Sequence, residues 1–142
     1  MIWIPYVIAA LHADIIREAA AADECLRLAR AMQQACDPGA QHQIAKYAAT
    51  TLLNASALAA ELIALGGTPP CVSPRPEGNS GKLKGPVDHL VDARSALLHY
   101  RRRLLMASRV GLDRLQEVFC CVILRYESRL KDAQPPTVHG RS

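Results

Sequence analysis

The sequence predicts an all-α four-helix bundle, built as two helical hairpins joined by one long crossover. Three observations carry that expectation. Four stretches repeat apolar residues every three or four positions, the period of one helix face. Between the second and third stretches, residues 67–86 hold five prolines and four glycines and keep no such period. Aromatics make up only 4% of a chain that is 50% hydrophobic, and the Ala and Leu that replace them favour close helix packing over a sheet core. At 142 residues, a single domain spanning 1–142 is the default.

Helix A is expected over about 5–36. Pro5 suits a first turn, where its missing N–H would have no partner anyway. Positions 4, 8, 11, 15, 18, 22, 25, 29, 32 and 36 form one alternating 3–4 stripe, and Glu18 is its only charged residue. Asp37-Pro38-Gly39 is expected to stop this helix and turn the chain. Helix B follows over about 41–65, with a stripe at 44, 48, 51, 55, 58, 62 and 65. It is apolar nearly all round, which predicts burial on more than one side. Gly66-Gly67 caps it, and Thr68-Pro69-Pro70 forbids its continuation.

The crossover, 67–86, has a length that matters. Helix B, at about 1.5 Å per residue, is roughly 37 Å long. Twenty extended residues at about 3.3 Å each reach at least that far. The segment can therefore return along the whole bundle and start helix C parallel to helix B. Helix C is expected over about 87–109, opened by Pro86 with Asp88 and Asp92 in its first turns, where the helix dipole favours acids. Gly111 ends it. Helix D is expected over about 112–133, with Leu112, Leu115, Phe119, Val122, Tyr126 and Leu130 on one stripe and Pro135-Pro136 beyond it. The tail 134–142 is expected to fray.

Charge is unevenly distributed. Residues 1–80 carry a net −2 and residues 81–142 a net +6, giving the overall +4. The densest basic segment is His99-Tyr100-Arg101-Arg102-Arg103 on helix C. Three consecutive arginines cannot share one face, so one must point sideways. An acidic partner at this helix is one expectation and a solvated outer face the other. Aromatics do not interleave with the arginines as a nucleic-acid stacking surface requires. The five cysteines (Cys25, Cys36, Cys71, Cys120 and Cys121) are odd in number and contain no C-x-x-C, so neither a disulfide framework nor a zinc site is indicated. Reduced thiols in a cytoplasmic protein are expected, with Cys120 and Cys121 as buried small hydrophobes rather than a redox or soft-metal pair. The apolar start, MIWIPYVIAAL, has no positive residue before Arg17 and is too short to span a membrane. It is expected to begin helix A. The apolar helix B and Ile2–Ile4 predict a homodimer or higher homo-oligomer.

Two stretches resemble bacterioferritin and its relatives, within the ferritin-like family. One is the end of helix B, Glu61–Pro70 (ELIALGGTPP), similar to the family's Leu-Gly-Gly-Thr-Pro ending. The other is Glu18 preceding Leu28-Ala29-Arg30, at the spacing of the family's first metal-ligand Glu before its Ala-Arg. Weaker similarity covers 96–107 and 115–119. The resemblance implies the ferritin-like topology, with its one crossover between the second and third helices.

The resemblance also implies where a di-iron site would lie, and the residues there depart from it. Such a site takes four carboxylates and two histidines, with a Glu-x-x-His from each of two helices. Ala9, Gly39, Pro86, Ala96 and Pro136 stand three residues before His12, His42, His89, His99 and His139, so no Glu-x-x-His occurs. The helix B ligand positions fall on Thr51 and Asn54. The helix C position falls near Ala93 or Arg94, and the helix D pair near Val122 or Ile123 and Arg125 or Tyr126. Only Glu18 remains as a metal candidate. The haem-ligand methionine position falls near Leu52, so haem is not carried over.

The expectation is therefore a ferritin-like protein without its di-iron site and without a cofactor, acting non-enzymatically as an interaction or small-ligand-binding bundle. One alternative is a bacterioferritin-type iron-binding ferroxidase or other di-metal oxidoreductase. A second is a nucleic-acid-associated ferritin relative. Glu18 is expected to be buried in an ion pair with Arg94 or Arg101. Glu18, Tyr47, Thr51, Asn54, Arg94 and Tyr126 are the candidates for a polar core cavity, with core hydrogen bonding among them as the plainer expectation. His89 and Asp92 form the one His/carboxylate pair at i, i+3, where capping explains the acid.

Overall fold

The structure is a computed structural model that describes residues 3–71 and 86–133, the side chains of 86–91 and 133 excepted. Most of the crossover, the tail 134–142, Ile2 and the side chain of His89 lie outside the described residues. Among those described there are four helices and no strand: α1 (Ile4–Gln34), α2 (Pro38–Ala64), α3 (Pro86–Arg109) and α4 (Asp113–Ala133). The chain divides into two compact units, Met1–Lys84 and Gly85–Ser142. The first contains the α1–α2 hairpin and the second the α3–α4 hairpin.

Three helices begin and end within two residues of expectation. The exception is α2, which starts at Pro38 rather than near 41. Proline both stops a preceding helix and suits the first turn of the next, and here it does the second. Asp37 is the N-cap: its carboxylate Oδ1 accepts from the Ala40 amide at 3.2 Å. The turn is confined to Ala35–Asp37, with Cys36 in the left-handed region at φ 56°. There the Cys36 amide donates to the Gln33 carbonyl and the Asp37 amide to that of Met32, at 3.1 and 3.0 Å. This is a Schellman closure, which usually places glycine where Cys36 stands.

The same closure ends α2 and α3 with the expected glycines. Gly66 has φ 91° and Gly111 has φ 74°. The Gly67 amide reaches the Leu62 carbonyl at 2.9 Å and the Leu112 amide reaches Ala107 at 3.0 Å. Gly67 is needed for a second reason. A Cβ there would lie 2.6 Å from Leu62 Cδ1 and 3.1 Å from Ile8 Cγ2. The Gly-Gly dipeptide thus provides the left-handed residue and then the close approach that seats the chain end against α1.

In the first unit, α1 buries Val7, Leu11, Asp14, Ile15, Glu18, Ala22, Cys25 and Ala29. The face is rotated slightly from the expected stripe: Ile4 and Ile8 are half-buried, Cys36 is exposed, and Asp14 joins the interior. Helix α2 buries Tyr47, Ala48, Thr51, Asn54, Leu58, Glu61 and Leu62. Cys25 packs with Tyr47 and Ala48, with Ile44 beside them, which sets the antiparallel register. Burying Leu11, Leu58 and Leu62 completely stabilises the hairpin by about 1.5–3 kcal/mol each.

The expectation that α2 is buried on more than one side is corrected. Leu52, Leu53 and Ile63 are 49%, 52% and 59% exposed. Small residues occupy so much of the helix that composition did not distinguish its inner from its outer face. By length and composition α2 would be able to cross a membrane, with a mean hydropathy of 1.2 over its most apolar stretch. Core helices of water-soluble proteins meet the same criterion, and the buried face of α2 carries Thr51, Asn54 and Glu61.

In the second unit, Ala93, Ala96, Leu97, Tyr100 and Ala107 of α3 are buried, as are Leu115, Phe119, Val122, Ile123 and Tyr126 of α4. An aromatic cluster holds its centre. Tyr100 stacks on Tyr126 with centroids 5.9 Å apart at 18°, and Phe119 lies 6.0 Å from Tyr100. Contacts of this geometry add about 0.5–1.5 kcal/mol beyond burial.

Candidate functional site

The polar interior of the α1–α2 hairpin is built from one face of each helix. Asp14 and Glu18, four residues apart, share the inner face of α1 at 1% and 0% exposure. Across from them α2 buries Thr51, Asn54 and Glu61 at 0%, 1% and 6%. Asn54 Nδ2 donates to Glu18 Oε1 at 2.9 Å. A buried carboxylate must be hydrogen-bonded or paired to remain in the interior, and here a neutral amide supplies a donor.

The other candidates are placed differently. Thr51 Oγ1 donates to the Tyr47 carbonyl at 2.7 Å, one turn back on its own helix. The Tyr47 hydroxyl accepts from Gln43 Nε2 at 2.8 Å. Tyr126 belongs to the aromatic cluster of the other hairpin, where the Arg129 guanidinium sits 4.9 Å over its ring. Arg94 is exposed. Arg101 pairs with Glu127 at 3.2 Å and is 51% exposed.

The expected ion pair of Glu18 with Arg94 or Arg101 would join the two units; within its own unit Glu18 has the Asn54 amide as a donor. Within the basic segment, Arg101 and Arg102 are exposed and Arg103 is half-buried, as three consecutive arginines on a helix require.

Sequence reasoning missed Asp14, Glu61 and Tyr100. Asp14 stands four residues before Glu18, the spacing that puts it on the same face, but the stripe was started one position off. Tyr100 stands in the basic segment, yet Ala93, Ala96 and Leu97 lead to it at helical spacing. The burial expected of Cys120 and Cys121 is also corrected. Both are exposed, as are Cys36 and Cys71; Cys25 is buried, and none of the five is in a disulfide. Cys120 and Cys121 lie between Phe119 and Val122 in sequence, on the side of the turn that faces away from the buried stripe of α4.

Among the described residues no group of three or more His, Cys, Asp or Glu side chains is placed to hold one ion. Besides Glu18, the positions that the family resemblance gives to ligands hold Thr51 and Asn54, Ala93 or Arg94, Val122 or Ile123, and Arg125 or Tyr126, of which Arg94 is exposed, Arg125 half-buried and the others buried. Apart from Glu18 these offer neutral groups, guanidiniums or no polar atom, whereas a hard cation takes several anionic oxygens. No protein-family model, no curated protein and no solved structure matches the chain.

Proposed function

We propose that this chain is a ferritin-like four-helix bundle in which hydrogen bonding stands where di-iron ligation would, and that it acts without catalysis as an interaction protein. The observation that carries this is the buried Asn54–Glu18 hydrogen bond at 2.9 Å. An amide N–H aimed at Glu18 Oε1 takes one of the carboxylate's lone-pair sites and stands where the resemblance puts a second ligand. The Thr51 hydroxyl is directed to the Tyr47 carbonyl. The hairpin interior therefore spends its polar atoms on its own packing. A cytoplasmic location is part of the proposal, supported by five cysteines outside any disulfide, four of them exposed.

The test is elemental analysis of the purified protein before and after anaerobic Fe(II) loading and desalting. Near-zero iron, manganese and zinc per chain is the expected result. One or two tightly held metals per chain, lost in Glu18→Ala, would overturn the proposal in favour of an iron-binding or ferroxidase role.

A further inference from the structure

We propose that the outer face of the α3–α4 hairpin is a self-complementary docking surface, whose occupant is the same face of a second copy of this chain. It does not depend on the metal-free proposal, because metal content tests that one and association state tests this one.

Two exposed seams run along this face at steps of three or four residues, the period of one helix face. On α3 the seam is Arg94, Leu98, Arg101, Leu105 and Arg109, with Leu98 and Leu105 56% and 58% exposed. On α4 it is Asp113, Glu117, Cys120, Leu124 and Glu127, with Leu124 63% exposed. The seams are adjacent, because Arg101 of one bonds Glu127 of the other at 3.2 Å. Towards the hairpin turn a groove of about 710 Å³ lies between them, lined in part by Leu105, Glu117 and Cys120.

The ionic residues of the α3 seam are all cations, and those of the α4 seam are three anions, Asp113, Glu117 and Glu127, followed in the last turn by Lys131. That pattern selects the partner. An anionic lipid surface or nucleic acid would be drawn to α3 and repelled by α4 alongside it. A second copy satisfies both if the two-fold axis runs parallel to the helices, because each α3 then lies antiparallel against the partner's α4. Leucines nest between them and cations face anions along both contacts except at the Lys131 end of α4. An axis across the helices would set α3 on α3, cation against cation, and is disfavoured.

The 21 residues of α4 span about 32 Å, and two helix diameters about 20 Å, so each copy offers on the order of 600 Å². That is the lower end of specific interfaces, where association is reversible and concentration-dependent.

Sedimentation equilibrium of the full chain, at several concentrations and two salt levels, tests this. The expected result is a reversible dimer weakened by salt. Leu105→Glu and Leu124→Glu change exposed residues, and each should give a monomer with unchanged helical circular dichroism. Arg109→Glu and Glu117→Arg should each weaken the dimer roughly tenfold, and the two together should restore it. A monomer at every concentration overturns the proposal, as does a dimer indifferent to Leu105→Glu and to the charge swap. A monomer that binds anionic vesicles or DNA through α3 overturns it in favour of those partners.

Discussion

Asn54 and Glu18 stand thirty-six residues apart and share a fully buried hydrogen bond of 2.9 Å between α2 and α1. Removing one partner leaves the other desolvated. Asn54→Leu should destabilise the fold by about 2–4 kcal/mol, read as a lower urea midpoint at unchanged slope. Glu18→Gln keeps an acceptor oxygen for the amide and should cost less than Asn54→Leu. Removing both partners in Glu18→Leu/Asn54→Leu should recover part of the loss. A midpoint for Asn54→Leu equal to wild type would show that the bond contributes nothing.

Thiol accessibility separates Cys25 from the other four cysteines. Cys25 is 2% exposed, and Cys36, Cys71, Cys120 and Cys121 are exposed. Titration of the native protein with a chromogenic disulfide should count four thiols at once and the fifth only after denaturant is added. Release of three or fewer before denaturation would place Cys120 or Cys121 in a covered environment, and the protection should then be sought at the α3–α4 face.

Cys36 holds a left-handed conformation that costs an L-residue about 1–2 kcal/mol. Glycine removes that cost but brings greater unfolded-chain freedom, worth about 0.4–1 kcal/mol. Cys36→Gly should therefore stabilise by about 0.5 kcal/mol, measured as a small rise in Tm under reducing conditions. A fall in Tm would mean that the Cys36 side chain makes contacts that outweigh its backbone strain.

Gly66 and Gly67 should respond differently to substitution. At Gly66 a Cβ meets open space and only the positive φ opposes it, so Gly66→Ala should cost about 1 kcal/mol. At Gly67 the Cβ would collide with Leu62, itself fully buried. Gly67→Ala should cost about 1–3 kcal/mol, and Leu62→Ala in the same chain should relieve the clash. That non-additivity, read from denaturation midpoints of the two single variants and the double, is the signature of direct contact.

The sequence by itself determined the number of helices, their ends and the stops between them, because these depend on local chemistry. The 3–4 apolar period needs no tertiary information. Neither do the glycines at 66 and 111, where the backbone must turn left-handed. Where a local signal served two purposes it misled: Pro38 was expected to end one helix and instead begins the next. Only the tertiary structure decided rotation and pairing. A helix as rich in alanine as α2 has no sharp polar boundary, so packing against α1 decided that Asn54 and Glu61 face inward and Leu52 and Ile63 outward. Packing also brought Asn54 to Glu18, a long-range contact that helical spacing cannot express. It left Cys120 and Cys121 on the side of α4 that faces away from its buried stripe, in solvent rather than the core, because a helix face is only as wide as the neighbour that covers it.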